Sequence, residues 1–67
     1  MAPPARIRYP GDLEQLLRAL VMEAIAMGPQ ALRGARVLYP GTTLAPSFVI
    51  RLADGHEFEV IIRDLAL

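Results

Sequence analysis

The sequence predicts an α+β domain of order β-α-β-β-β, with one amphipathic helix packed on a three- to four-stranded mixed or antiparallel sheet. Three observations carry this expectation. The stretch Asp12 to Met27 repeats apolar residues at helical spacing, and four shorter stretches read as strands by alternation or by β-branched and aromatic content. Pro-Gly and Asp-Gly pairs punctuate the intervals between them. With 67 residues the chain makes one small domain, residues 1–67, whose Pro-rich positions 1–4 are expected to be loose.

Ala5-Arg6-Ile7-Arg8-Tyr9 alternates apolar and charged residues, the period of a half-buried strand. Tyr9-Pro10-Gly11-Asp12 reads as a turn, because proline presets φ and glycine is free to take a positive one. Asp12 suits an N-cap, and Gln15 three residues later would complete a capping box. The helix then carries the stripe Leu13, Leu16, Leu17, Leu20, Ala24 and Met27, with Glu14 and Arg18 as an i,i+4 pair on the solvent side. Val21 and Ile25 widen the apolar arc to roughly half the circumference on a 100° wheel. So broad an arc on one helix implies more than one surface to pack against. Gly28-Pro29 ends the helix, with glycine as a left-handed cap.

After a link from Gln30 to Gly34 comes the strand Ala35-Arg36-Val37-Leu38-Tyr39, closed by Pro40-Gly41. It echoes Ala5 to Gly11 at five of seven positions, which fits either an ancient duplication or two strands converging on one turn chemistry. The sequences diverge directly after each Pro-Gly, favouring convergence. A β-α-β start allows a right-handed parallel crossover between the first two strands. If the first strand floats instead, the core is one helix on an antiparallel meander.

The last third forms a hairpin from Ser47–Leu52 and His56–Arg63. A two-residue Asp54-Gly55 loop would set Arg51 opposite Phe58 and mix apolar with charged residues on both faces. A three-residue loop, Ala53-Asp54-Gly55, sets Ile50 opposite Phe58, Phe48 opposite Val60 and Arg51 opposite Glu57. A one-residue slip would turn every side chain over, so the three-residue loop is the consistent choice.

In a four-stranded sheet the helix-facing set is Ile7, Tyr9, Val37, Tyr39, Phe48, Ile50, Leu52, Phe58, Val60 and Ile62, which includes all four aromatics. The other face shows Arg6, Arg8, Arg36, Leu38, Val49, Arg51, Glu57, Glu59, Ile61 and Arg63, a net of 5 − 2 = +3 in a chain of zero formal charge. Three readings of that face compete. In the first, Leu38, Val49 and Ile61 form the apolar centre of a sheet-face or edge dimer contact, with arginine–glutamate pairs around it. In the second, Arg6, Arg8, Arg36 and Arg51 contact nucleic acid. In the third, the charges pair across strands and are simply solvated. The outward-facing aromatics that stack bases are absent from this arrangement, and the isoelectric point near 6.5 is low for a nucleic-acid binder.

Composition favours the first reading. More than half of the residues, 54%, are apolar, in a chain whose mass implies roughly 4,200 Å² of folded surface. Domains below about 70 residues usually add disulfides, a metal or a second subunit. There is no cysteine, and His56 is the only histidine, so oligomerisation remains and a homodimer is expected, with Val21 and Ile25 as further interface candidates. The lack of cysteine fits a reducing, cytoplasmic location. The basic start has no apolar stretch behind it, and no apolar run reaches the about 20 residues of a membrane span, so neither a secretory signal nor a membrane partner is expected.

No catalytic, cofactor-binding or metal-ligating residue is assigned. His56 follows a tight turn near Asp54 and Glu57 without a nucleophile fixed beside it, and reads as a surface histidine. Glu57 and Glu59 lie about 7 Å apart on one strand face, but Arg51 and Arg63 flank them as ion-pair partners. Gly41-Thr42-Thr43 lacks the glycine spacing, lysine and helix of a phosphate loop. Met22 sits near the solvent side of the helix and suits either a binding patch or simple exposure. An enzyme is disfavoured because so short a chain leaves little room for a pocket.

Arg36-Val37-Leu38-Tyr39-Pro40-Gly41, the Phe48-to-Gly55 hairpin and the use of arginine for all seven basic residues resemble a small uncharacterised family, a domain of unknown function, from Deinococcus–Thermus bacteria. The resemblance covers most of the chain. It implies a host type and brings no functional residues. A GC-rich genome explains the missing lysine and asparagine; a heat-adapted, thermophile host also suits the lack of asparagine and cysteine.

Overall fold

The computed structural model describes residues 5–39 and 45–65. The expected looseness of residues 1–4, the Pro40-Gly41 turn and the Thr42-Thr43 loop lie outside the described residues. Within them the chain is α+β: helix α1 (Pro10–Met27), a short 3₁₀ turn (Gln30–Leu32), and strands β1 (Arg36–Leu38), β2 (Ser47–Arg51) and β3 (Glu57–Ile61). The strands form an antiparallel meander in the order β1-β2-β3, and the helix packs chiefly on β1 and β2. Of the two arrangements left open by the sequence, this is the three-stranded one.

Ala5–Tyr9 does not join the sheet. Its backbone donors are recruited by the helix instead. Asp12 Oδ2 accepts from the Arg8 N–H at 2.9 Å and the Tyr9 N–H at 3.0 Å. The helix cap consequently lies three residues earlier than expected, with extended Tyr9 as N-cap and Pro10 in the first turn, where its missing N–H costs nothing. Asp12 is therefore the third helical residue reaching back to the cap, not the cap itself, and it takes the role expected of Gln15.

At the other end Gly28 is not left-handed: it closes the helix at φ −99°, ψ −153°. Glycine is required there for a different reason, since a Cβ would overlap the Ala24 carbonyl oxygen. Gly34, at φ +82°, turns the chain into β1, and a side chain there would also press on Ala53 Cβ at 3.1 Å.

The hairpin has the register that parity demands, with Ile50 opposite Phe58, Phe48 opposite Val60 and Arg51 opposite Glu57. Leu52 N donates to His56 O at 2.8 Å and Gly55 N to Leu52 O at 2.9 Å, with Gly55 at φ +94°. Those bonds describe a three-residue loop with glycine at the bulge.

The helix is rotated about its axis relative to the expected stripe. Its most buried residue is Glu14, 7% exposed, and not a leucine. Glu14 and Arg18 form the expected i,i+4 pair, Oε1 to Nε 3.0 Å, but off the hydrogen-bond axis and against the sheet side, not in open solvent. Arg18 lies over the Tyr39 ring, 4.9 Å from its centroid. The helix thus buries Glu14, half-buries Val21, sets Arg18 over Tyr39 and Ile25 beside β1, and leaves Leu20 and Met27 exposed. The echoed segments also diverge: Ala5 to Tyr9 leads into a helix, whereas Ala35 to Tyr39 carries β1, with Ala35 buried. One motif in two conformations fits convergence better than duplication.

Candidate functional site

The outer face of the sheet is built from alternate residues of the meander. Its rows, read from the register, are Arg36–Arg51–Glu57, then Leu38–Val49–Glu59, then Ser47–Ile61. Leu38 and Val49 are therefore direct cross-strand neighbours, and Ile61 is diagonal to Val49, within reach of a long side chain. The structure brings these three apolar residues together on one face. Leu38 and Val49 are half-buried, and Ile61 is 47% exposed.

Val21 and Ile25 lie on the helix, on the other side of the sheet from Val49 and Ile61. The two groups meet only at the β1 edge. There Met22, Ile25, Ala35, Arg36, Val37 and Leu38 line an open depression of about 450 Å³. A second cleft, about 290 Å³, runs between the helix start and the chain after β3, and Arg8, Arg63 and Asp64 contribute its polar lining. Neither is enclosed, and among the described residues no three histidine or carboxylate side chains converge as a metal site.

The arginines expected on one surface are divided. Arg36 and Arg51 are cross-strand neighbours, and Arg51 is held by Glu57, with Nε to Oε2 at 2.7 Å. Arg6 and Arg8 are exposed on the segment before the helix, outside the sheet, where Arg8 shares the second cleft with Arg63. The strand-borne charge of the outer face becomes three arginines (Arg36, Arg51, Arg63) against Glu57 and Glu59, 3 − 2 = +1, where four strands would have given +3. The expected inward set of aromatics is also corrected. Phe48 is buried, whereas Tyr9, Tyr39 and Phe58 are exposed.

His56 belongs to the hairpin turn. Its Nδ1 lies 2.8 Å from Asp54 Oδ2, and its backbone N–H donates to Asp54 Oδ1 at 3.0 Å. These bonds hold the Asp54 carboxyl below its ordinary value of 3.8, the backbone N–H contributing most and the ring next. The pair is exposed and belongs to a turn. Among the described residues no nucleophile is bonded to it.

The exposed Phe58, Leu20 and Met27 were missed by sequence reasoning; the signal that bears on Phe58 is dimensional, not periodic. A helix about 10 Å across covers about two strands spaced near 4.8 Å, so a third strand must stay partly bare. No helix in the described residues is long and apolar enough to cross a membrane. No family model, curated protein or solved structure matches the chain.

Proposed function

We propose that this chain is a non-enzymatic interaction module that self-associates. One observation carries the reading. Among the described residues only Ala35 and Phe48 are buried hydrophobics, while Ile7, Leu20, Met22, Met27, Phe58, Ile61 and other large apolar side chains stand exposed.

The apolar centre Leu38, Val49 and Ile61, ringed by arginine and glutamate, has the composition of such a contact. Val49→Asp and Ile61→Asp place a charge in it. Ile61→Asp is expected to raise the dissociation constant at least tenfold by sedimentation, and Val49→Asp to do so where the sheet faces themselves meet, with the helical circular dichroism retained in both. Unchanged association in both variants would remove this face from the reading.

Nucleic-acid binding remains the second reading, and Arg36 and Arg51 side by side are what favours it. It predicts salt-dependent oligonucleotide binding by fluorescence anisotropy, lost in the double variant Arg36→Ala/Arg51→Ala. No binding near 50 mM salt would end it.

A further inference from the structure

We propose that the outer edge of β3 is where a second copy docks, pairing antiparallel with its own β3 about a twofold axis at Ile61. This rests on the self-association reading above and specifies its geometry.

Within the described sheet the edge has no partner strand and has a defined phase; residues 7–10 share a cleft with residues 62–65, just beyond its end. β3 is terminal in the sheet, and among the described residues no strand lies beyond it. The bonds Leu52 N to His56 O and Ile62 N to Pro46 O fix which residues turn their backbone groups toward β2. By alternation these are the even positions from His56 to Ile62, so Glu57, Glu59, Ile61 and Arg63 present N–H and C=O outward. Ile62 still bonds to Pro46, so the chain runs beside β2 beyond the last residue of β3. The opposite edge is poorer: β1 has three residues, and the adjacent Ala35 N–H is already given to Leu32 O.

Charge selects the register. Only odd residues can pair with odd residues, which leaves few ways to superpose two copies. A centre at Glu59 sets two like carboxylates against each other. A register that sets Glu57 opposite Arg63 of the second copy competes with the Arg51–Glu57 bond and leaves Glu59 facing Ile61. A centre at Ile61 sets Glu59 opposite the second copy's Arg63 twice and joins Ile61 to its own equivalent. Among the described residues neither Glu59 nor Arg63 has an ion-pair partner within the chain. On the helix side the same register brings Val60 beside Ile62 of the second copy. The two outer faces then merge into one six-stranded sheet, with the Ile61 pair continuing the Leu38–Val49 apolar centre.

The test is a charge exchange read by sedimentation at low salt. Glu59→Arg alone and Arg63→Glu alone should each weaken the homodimer about tenfold or more, because each creates two like-charge contacts. Mixing the two variants should restore wild-type association as a heterodimer, since every pair is then complementary. That recovery also shows that both variants are folded. If wild type is dimeric and neither variant weakens it, the edge register is overturned and self-association through another surface stands. If only Arg63→Glu matters, the register is the one that uses Glu57, and the centre at Ile61 is wrong. A wild-type chain that stays monomeric overturns both this inference and the reading beneath it.

As the chain has no cysteine of its own, Ile61→Cys gives an independent measure. Under mild oxidation it should crosslink as a symmetric pair, at a Cα separation of about 5.5 Å. Glu59→Cys should not, its equivalents lying about 13 Å apart along the strands. The reverse pattern would refute the register.

Discussion

Phe48 and Phe58 share one face of neighbouring strands and differ in almost nothing but position, yet Phe48 is 1% exposed and Phe58 57%. Phe48 lies on the central strand, which the helix covers. Phe58 lies on the edge strand, which it does not reach. The contrast shows that this domain is half closed. Its covered side, β1 and β2 under the helix, is ordinary protein interior on a small scale. Its β3 side is left uncovered by the helix.

The largest predicted effect breaks the comparison if it fails. Phe48→Ala should cost about 3–5 kcal/mol by urea denaturation, enough to unfold much of a domain this small. Phe58→Ala should cost less than about 1 kcal/mol when measured in dilute solution, where no partner covers it. Equal costs would mean that the two sides are equally closed.

The ion pairs repeat the comparison at smaller scale. Glu14–Arg18 is largely buried, with side-chain exposures of 9% and 26%, whereas Arg51–Glu57 is open at 50% and 47% despite its short contact. Glu14→Ala should destabilise by roughly 1–2 kcal/mol, because Arg18 loses its partner in a partly dry site. Glu57→Ala should cost about 0.5 kcal/mol or less, through solvent screening. Thermal denaturation at low and high salt separates them: added salt should erase the second effect and leave most of the first.

The smallest effect lies at the hairpin tip. The Asp54 carboxyl should titrate below 3.8 by NMR. A depressed carboxylate contributes stability that is present above its unfolded value and lost as pH falls through its folded one, so the turn loosens only in acid below pH 3.8. His56→Ala should raise the midpoint only part of the way, since the backbone N–H, the larger cause, remains. Full return to 3.8 would assign the shift to the ring.

Much of this was legible from the residues. Parity alone fixed the hairpin, because only one loop length keeps Ile50 and Phe48 on the same face as Phe58 and Val60. The helix was legible in extent but not in rotation. Its leucine stripe and its buried side differ: Glu14, paired with Arg18, is its most buried residue, and Arg18 lies over Tyr39, a tertiary contact that periodicity does not encode. The Ala5–Tyr9 strand failed for a local reason: the same amides that a ladder needs are bonded by Asp12, four and three residues away. Leu38, Val49 and Ile61 were recognisable as a cluster because strand alternation is strict. The exposure of Phe58 was not, since it depends on how far one helix reaches across three strands.

The central claim is that the uncovered side of this domain is closed by a second copy. Molar mass by light scattering, followed from low to high micromolar concentration, tests it most directly. The account predicts a rise from one to two times the 7.3 kDa of the chain, with thermal stability rising in step. A mass fixed at 7.3 kDa throughout, with cooperative unfolding independent of concentration, would contradict it.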